Sequence, residues 1–174
     1  MARTPTMQGD IRESVSQTEA DGVRTKGGVA LEFYYKRDST VLPGSVAEVY
    51  RGGDELQFVY GGAGYTYVTL ASIDVHGLVS VYRTEEESQT VSVAVKPGER
   101  QPFPFGVSLD NSPGSELFVL VYSATALTSE SMINWMKNGF SKASGNLDSL
   151  SNSLPQPPSS GAKVKSLLVR KAKA

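Results

Sequence analysis

Leu117-Phe118-Val119-Leu120-Val121-Tyr122 is the stretch on which the reading of this chain turns. Six consecutive apolar residues, mixing aromatic and β-branched side chains and ending well short of a helix's usual length, describe a strand buried on both faces. Leu109-Asp110-Asn111-Ser112-Pro113-Gly114 leads into it as a dense turn. Residues 65–73, YTYVTLASI, form a second long run of the same character, too continuous for an exposed edge, and are also placed centrally.

Outward from these runs the period stays close to two. Val29, Leu31, Phe33 and Tyr35 fall on one face and Glu32 and Lys36 on the other, the pattern of a half-buried strand. Residues 36–40 and then Pro43-Gly44 supply turns before a strand at 46–50. Gly52-Gly53-Asp54 opens a strand carrying Leu56, Phe58 and Tyr60 at period two. Asp74-Val75-His76-Gly77 connects the central run to 78–83, a hairpin in which Gly77 can take positive φ. Glu85, Glu86 and Glu87 make 84–90 a solvated acidic loop. Val91, Val93 and Val95 alternate with Ser92, Ala94 and Lys96, and Pro97-Gly98 turns the chain towards 101–105.

After Thr128 the period becomes helical. Met132, Ile133, Met136, Phe140 and Ala143 share one arc, with Asn134, Asn138 and Ser141 opposite, so one short amphipathic helix is expected over about 129–143. Residues 144–162, rich in serine and holding Pro155, Pro157 and Pro158, read as a loose connector. The terminal strand is expected at about 163–172, where Val164, Leu167, Leu168 and Val169 interleave with cations. Residues 1–28 lack hydrophobic periodicity and read as a flexible leader or linker, leaving 29–174 as a single domain. Eight or nine short strands at this spacing favour an all-β sandwich, with an immunoglobulin-like architecture preferred and the helix inserted before the last strand. Leu31, Phe33, Leu56, Phe58, Val68, Leu70, Val81, Phe118 and Leu120 are expected in one layer between the sheets.

Composition narrows the chemistry. With 174 residues, 39% of them hydrophobic, the chain can bury one real core without staples. It has no cysteine and one histidine, which leaves almost no material for a thiolate or His-rich metal site, a cysteine nucleophile or a Ser-His relay. His76 itself reads as an exposed turn residue. Gly61-Gly62-Ala63-Gly64 lacks the lysine of a phosphate loop and precedes a strand, not a helix. Ser80 and Ser92 have no nucleophile-elbow glycines around them. Asp54-Glu55 and Glu85-Glu86-Glu87 are runs of surface charge with no desolvated setting to separate two carboxyl pKa values. Asp110, Asn111, Ser115 and Glu116 offer oxygen ligands for Ca²⁺, but not at the spacing of an EF-hand loop. No catalytic residue, metal or cofactor is expected.

Binding is the remaining class. Net charge is −1, yet Lys163, Lys165, Arg170, Lys171 and Lys173 follow Gly161 with no acidic residue among them. A charge-protected edge strand is preferred there over a nucleic-acid tail. Tyr34, Tyr50, Tyr65, Tyr67 and Tyr82 could present a stacking platform, although most sheet tyrosines pack with a wet hydroxyl. Trp135 lies beside the main helical stripe, near Lys142. Tyr34, Tyr67 and Trp135 are therefore the candidate partner-binding residues. No run approaches the length of an apolar membrane span, and the first 21 residues lack a signal peptide's apolar centre. The chain is expected in the cytoplasm unless a targeting or membrane segment accompanies it.

The ordered motifs resemble a bacterial family of small domains of unassigned function, found downstream of zinc-binding anti-sigma modules or fused to kinase and caspase-like domains. The resemblance runs through Gly53-Asp54-Glu55-Leu56-Gln57-Phe58, then the 65–74 run, Gly77 and Val81-Tyr82. It continues with Lys96-Pro97-Gly98-Glu99 and the Leu109 to Glu116 turn leading into the 117–122 strand. A proline often follows the hairpin tyrosine in that family, where this chain has Arg83 after Tyr82. The resemblance implies an immunoglobulin-like sandwich, placement outside the cytoplasmic membrane in many members, and no established catalytic residues. Val23-Arg24-Thr25-Lys26-Gly27-Gly28 resembles the linker between a membrane anchor and such a domain. The expected function is a non-enzymatic interaction or sensory domain of the bacterial envelope, linked to sigma/anti-sigma signalling, with another protein as partner. The alternative is a carbohydrate-binding module using the sheet aromatics.

Overall fold

The apolar run at 117–122 becomes the middle of a ten-residue strand, Gly114–Ser123, with a partner on each side. The computed structural model of the chain describes residues 2–3, 31–61, 64–83, 90–97 and 100–172, without the side chains of 2, 3 and 31. Along the chain the strands are β1 (Ala2–Arg3), β2 (Leu31–Arg37), β3 (Thr40–Pro43), β4 (Val49–Tyr50), β5 (Glu55–Tyr60) and β6 (Tyr67–Asp74). They continue as β7 (Val79–Tyr82), β8 (Val93–Ala94), β9 (Gln101–Pro102), β10 (Val107–Ser108), β11 (Gly114–Ser123) and β12 (Lys163–Lys171). Two helices, α1 (Ser129–Lys142) and α2 (Leu147–Asn152), lie between β11 and β12. A seven-stranded sheet runs β1-β7-β6-β11-β12-β4 with β8 also beside β6; a five-stranded sheet runs β10-β5-β2-β3 with β9 also beside β5.

Facing side chains of the two sheets close over one core, giving the all-β, sandwich-like architecture. On β11, Phe118, Leu120 and Tyr122 point into this inter-sheet layer, while Leu117, Val119 and Val121 belong to a second layer on the opposite face. Burial on both faces explains the unbroken apolar run, because neither face of the strand meets water. The second layer is covered by the helices, through Met132, Trp135 and Met136 of α1 and Leu147 and Leu150 of α2. Three layers result, helices over one sheet over the other.

The inter-sheet layer is aromatic. Its rings form an unbroken series in which Tyr35 meets Tyr50 at 5.0 Å, Tyr50 meets Phe33 at 5.6 Å, Phe33 meets Phe58 at 5.5 Å and Phe58 meets Phe118 at 4.8 Å. Tyr82 stacks on Phe118 and on Phe105, and Phe103 and Tyr60 complete the series. Edge-on and offset geometries of this kind add stabilisation beyond the area they bury.

Several expectations need correction. Of the twelve strand segments among the described residues, five hold only two residues, so the stretches expected at 46–50, 91–95 and 101–105 are strands only at Val49–Tyr50, Val93–Ala94 and Gln101–Pro102. Thr40 and Pro43, read as parts of two turns, are instead the ends of β3, because Asp38 and Ser39 adopt φ of 50° and 71° and close a two-residue hairpin. Val81 faces the helices instead of the inter-sheet layer, whereas Phe33, Leu56, Phe58, Val68, Leu70, Phe118 and Leu120 lie in that layer as expected. The 144–162 connector is not uniformly loose. Asn146 caps α2 by accepting the Ser149 amide at 2.9 Å, and Leu147 and Leu150 anchor it to the sheet. The 1–28 leader lies outside the described residues except for Ala2–Arg3, which pairs in parallel with β7; the 84–89 part of the acidic loop lies outside them too.

Candidate functional site

Polar groups gather at the ends of the aromatic layer. At one end Glu116, which precedes Phe118 on the same face of β11, is 1% exposed. Its Oε2 accepts from Ser72 Oγ and, at 3.4 Å, from Tyr82 Oη, while Ser72 and Tyr82 share a 2.8 Å hydrogen bond. Its Oε1 faces Lys171 Nζ at 3.3 Å, and that ammonium also donates to Asp110 Oδ1 at 2.8 Å. Lys171 reaches this point because β12 runs antiparallel to β11, setting Lys171 opposite Gly114 at the mouth of the turn. A buried lysine between two carboxylates satisfies the requirement that buried charge be paired.

Beside it, Asp54 ties three segments together. Arg37 donates Nε to its Oδ1 at 3.1 Å and Nη2 to its Oδ2 at 2.6 Å, and the Arg51 amide adds a third bond at 2.9 Å. Burial alone pushes this carboxyl upward, but the Arg37 bonds, the Arg51 amide and both guanidinium charges outweigh it and hold it below its ordinary value. At the far end Tyr122 Oη donates to Gly61 O at 2.7 Å and accepts from Gly61 N at 3.2 Å. Burial pushes that phenol up to about 12 against the opposing pull of the Gly61 hydrogen bond. Gln57, on the other face of β5, is fully buried and donates Nε2 to the carbonyls of Phe58, Phe103 and Phe105, which fixes the loop whose rings enter the core. Local alternation along β5 does not disclose this burial, because the Phe103 and Phe105 carbonyls that meet it come from far along the chain.

The candidate binding residues fall in separate places. Tyr34 lies on the outer face of the five-stranded sheet with Val59 and Val41, only 4% exposed, beneath the Arg100 guanidinium at 5.5 Å from its ring. Arg100 also forks onto Glu32, at 3.2 and 2.9 Å, and donates to Tyr34 Oη. Tyr67 is half-buried on β6 of the other sheet. Trp135 packs inside the helix layer at 7% exposure, its indole N–H donating to Pro155 O at 3.3 Å. Gly139 makes that packing possible, since a Cβ there would stand 2.9 Å from Leu150 and 3.2 Å from Pro155. Tyr50 and Tyr82 belong to the inter-sheet core, so the five tyrosines do not share one face. Asp110 and Glu116 of the oxygen-rich turn converge on Lys171, and among the described residues no three His, Cys, Asp or Glu side chains group as a metal site. His76 is an exposed turn residue between Asp74 and Gly77, whose φ is 81°.

One feature of the surface does concentrate. β3 is the outer strand of one sheet and β4 the outer strand of the other, and residues 44–48 join them along one side of the sandwich. Leu42, Val46 and Val49, on this side, are 42%, 53% and 46% exposed. Next to β4, the outer edge of β12 from Lys163 to Val169 has no strand partner among the described residues, because β4 covers only Arg170 and Lys171. Apolar side chains together with an open backbone edge are what a partner strand or loop can use. The interleaved cations of 163–172 point to an edge strand, but that β3, β4 and residues 44–48 lie beside it could not be read, since the order of strands in a sheet is not written in local pattern.

No protein-family model matches the chain, and no curated protein or solved structure matches it either.

Proposed function

We propose that this protein is a non-enzymatic interaction or sensory domain of the bacterial cell envelope, attached to a signalling apparatus of the sigma/anti-sigma kind, built on an immunoglobulin-like sandwich. The observation that carries the interaction reading is the exposed apolar side formed by Leu42, Val46 and Val49 beside the β12 edge, which from Lys163 to Val169 has no strand partner among the described residues. The envelope and signalling parts of the reading rest on the order of motifs from Gly53 to the 117–122 strand. The immunoglobulin-like part is supported by two mostly antiparallel sheets closing on one core. The partner is another protein, and placement outside the cytoplasmic membrane requires a targeting or membrane segment with the chain. Among the described residues no helix is long and apolar enough to cross a membrane.

A photo-crosslinking residue at position 46, expressed in bacteria, tests the reading. A discrete protein adduct is expected, weakened by Leu42→Asp or Val49→Asp and absent when the crosslinker sits at Lys137 on the exposed helix surface. Equal labelling from both positions, or none from position 46, would remove the support for this surface. Glycan-array binding sensitive to Tyr34→Ala or Tyr67→Ala would instead favour a carbohydrate-binding module.

A further inference from the structure

The Lys171 cluster contains more than an ion pair needs. A lysine 2% exposed at its side chain touches two carboxylates, one nearly fully buried and one half exposed, and the buried one also accepts from the Tyr82 hydroxyl. Glu116 is held from behind: Ser72 and Tyr82 occupy Oε2, leaving Oε1 turned to the lysine. Asp110 is held as well, by the Ser112 amide on Oδ1 at 3.1 Å. An amine and a carboxyl fixed within about 3 Å, with a third group in reach of the amine's protons, are an arrangement for acyl transfer as well as for charge pairing.

We propose that Lys171 and Asp110 form an intramolecular amide bond, with Glu116 as the proton relay. Glu116 first carries one proton from the Lys171 ammonium to the Asp110 carboxylate, giving an amine and a carboxylic acid. The Nζ lone pair then attacks Asp110 Cγ, forming the C–N bond, while the Ser112 amide steadies charge on Oδ1. Glu116 takes a second proton from nitrogen and returns it to the departing hydroxyl, the C–O bond breaks, and one water leaves. An ammonium and a carboxylate become one amide and one water, Glu116 ends as it began, and no oxidant, metal or nucleotide is consumed. The half-exposed side of Asp110 gives the water a way out. The product would join the last strand covalently to the turn that opens β11. This inference stands independently of the interaction reading, since it concerns a single event within the chain.

Mass spectrometry of the purified full chain decides it. The native chain is expected to be lighter than its sequence by one water, with a tryptic digest yielding the Asp110 peptide joined through Lys171. Lys171→Arg and Asp110→Ala should each restore the full mass. Glu116→Gln, which keeps the side chain's shape without its proton affinity, should slow linkage by about a hundredfold or more. Circular dichroism identifies any variant that fails to fold, and the native chain's mass is informative without variants. A native chain of full mass would overturn the proposal and leave the cluster a buried ion pair. So would a water loss confined to one peptide, as succinimide formation at Asp110 would give, or linkage at an undiminished rate in Glu116→Gln.

Discussion

The two faces of the seven-stranded sheet are buried by different means. Between the sheets, aromatic rings from β2, β5, β7, β11 and the 103–105 loop interlock, and polar latches close both ends of the layer. On the opposite face, aliphatic side chains of the sheet meet Met132, Trp135 and Met136 of α1 and Leu147 and Leu150 of α2. The first layer draws on pairings far apart in sequence. The second is covered mainly by one local stretch, 127–154, laid across β6, β7, β11 and β12. A rigid layer specified by ring geometry and a more adaptable one filled by flexible side chains should respond differently to the same kind of damage.

Phe118→Ala is expected to have the largest effect, about 3–5 kcal/mol in denaturant unfolding, because its ring touches both Phe58 and Tyr82 and its cavity cannot collapse. A loss below about 1 kcal/mol would show that the aromatic layer is not the rigid one. Met132→Ala, equally buried on the other face, should cost about 2–3 kcal/mol, at the low end for such a truncation, as the helix settles onto the sheet. Hydrogen exchange should then quicken in α1 and α2 before β6 and β11; equal quickening everywhere would mean that the two layers unfold as one.

The latches sharpen the contrast at smaller amplitude. Tyr122→Phe should cost about 1–2 kcal/mol, since both backbone groups of Gly61 lose their partner. The Tyr122 pKa is higher folded than unfolded, so its contribution is present below about pH 10 and declines as pH rises towards 12. The alkaline limb of the melting curve should therefore be shallower in the variant. Asp54→Asn should act mainly in acid and be the smallest of the four effects, because Arg37, at 21% side-chain exposure, can rehydrate. The Asp54 pKa is lower folded than unfolded, so its contribution is present above about pH 4 and is lost as pH falls through the folded value. The native chain should lose stability more steeply over that range than the variant. Identical acid limbs would mean that the Arg37 fork contributes nothing.

The sequence by itself determined the central strands, the inward faces of β2 and β5, the hairpin at Gly77 and the existence of α1. Each follows from local physics: side-chain alternation, a glycine at positive φ, or a 3.6-residue stripe capped by Thr128. Tertiary structure decided what covers each face. Val81 was assigned to the wrong layer because β7, buried on both sides, offers no alternation to choose between them. Trp135 is buried rather than marginal because Leu150 and Pro155 return across α1, something its own helical period cannot state. Asp110 and Glu116 stand together in one oxygen-rich turn of the sequence, but Lys171 looks like an unrelated charge on a distant edge strand. They meet only because β12 comes back antiparallel along β11, and a charge cluster assembled by strand register has no local signature to read.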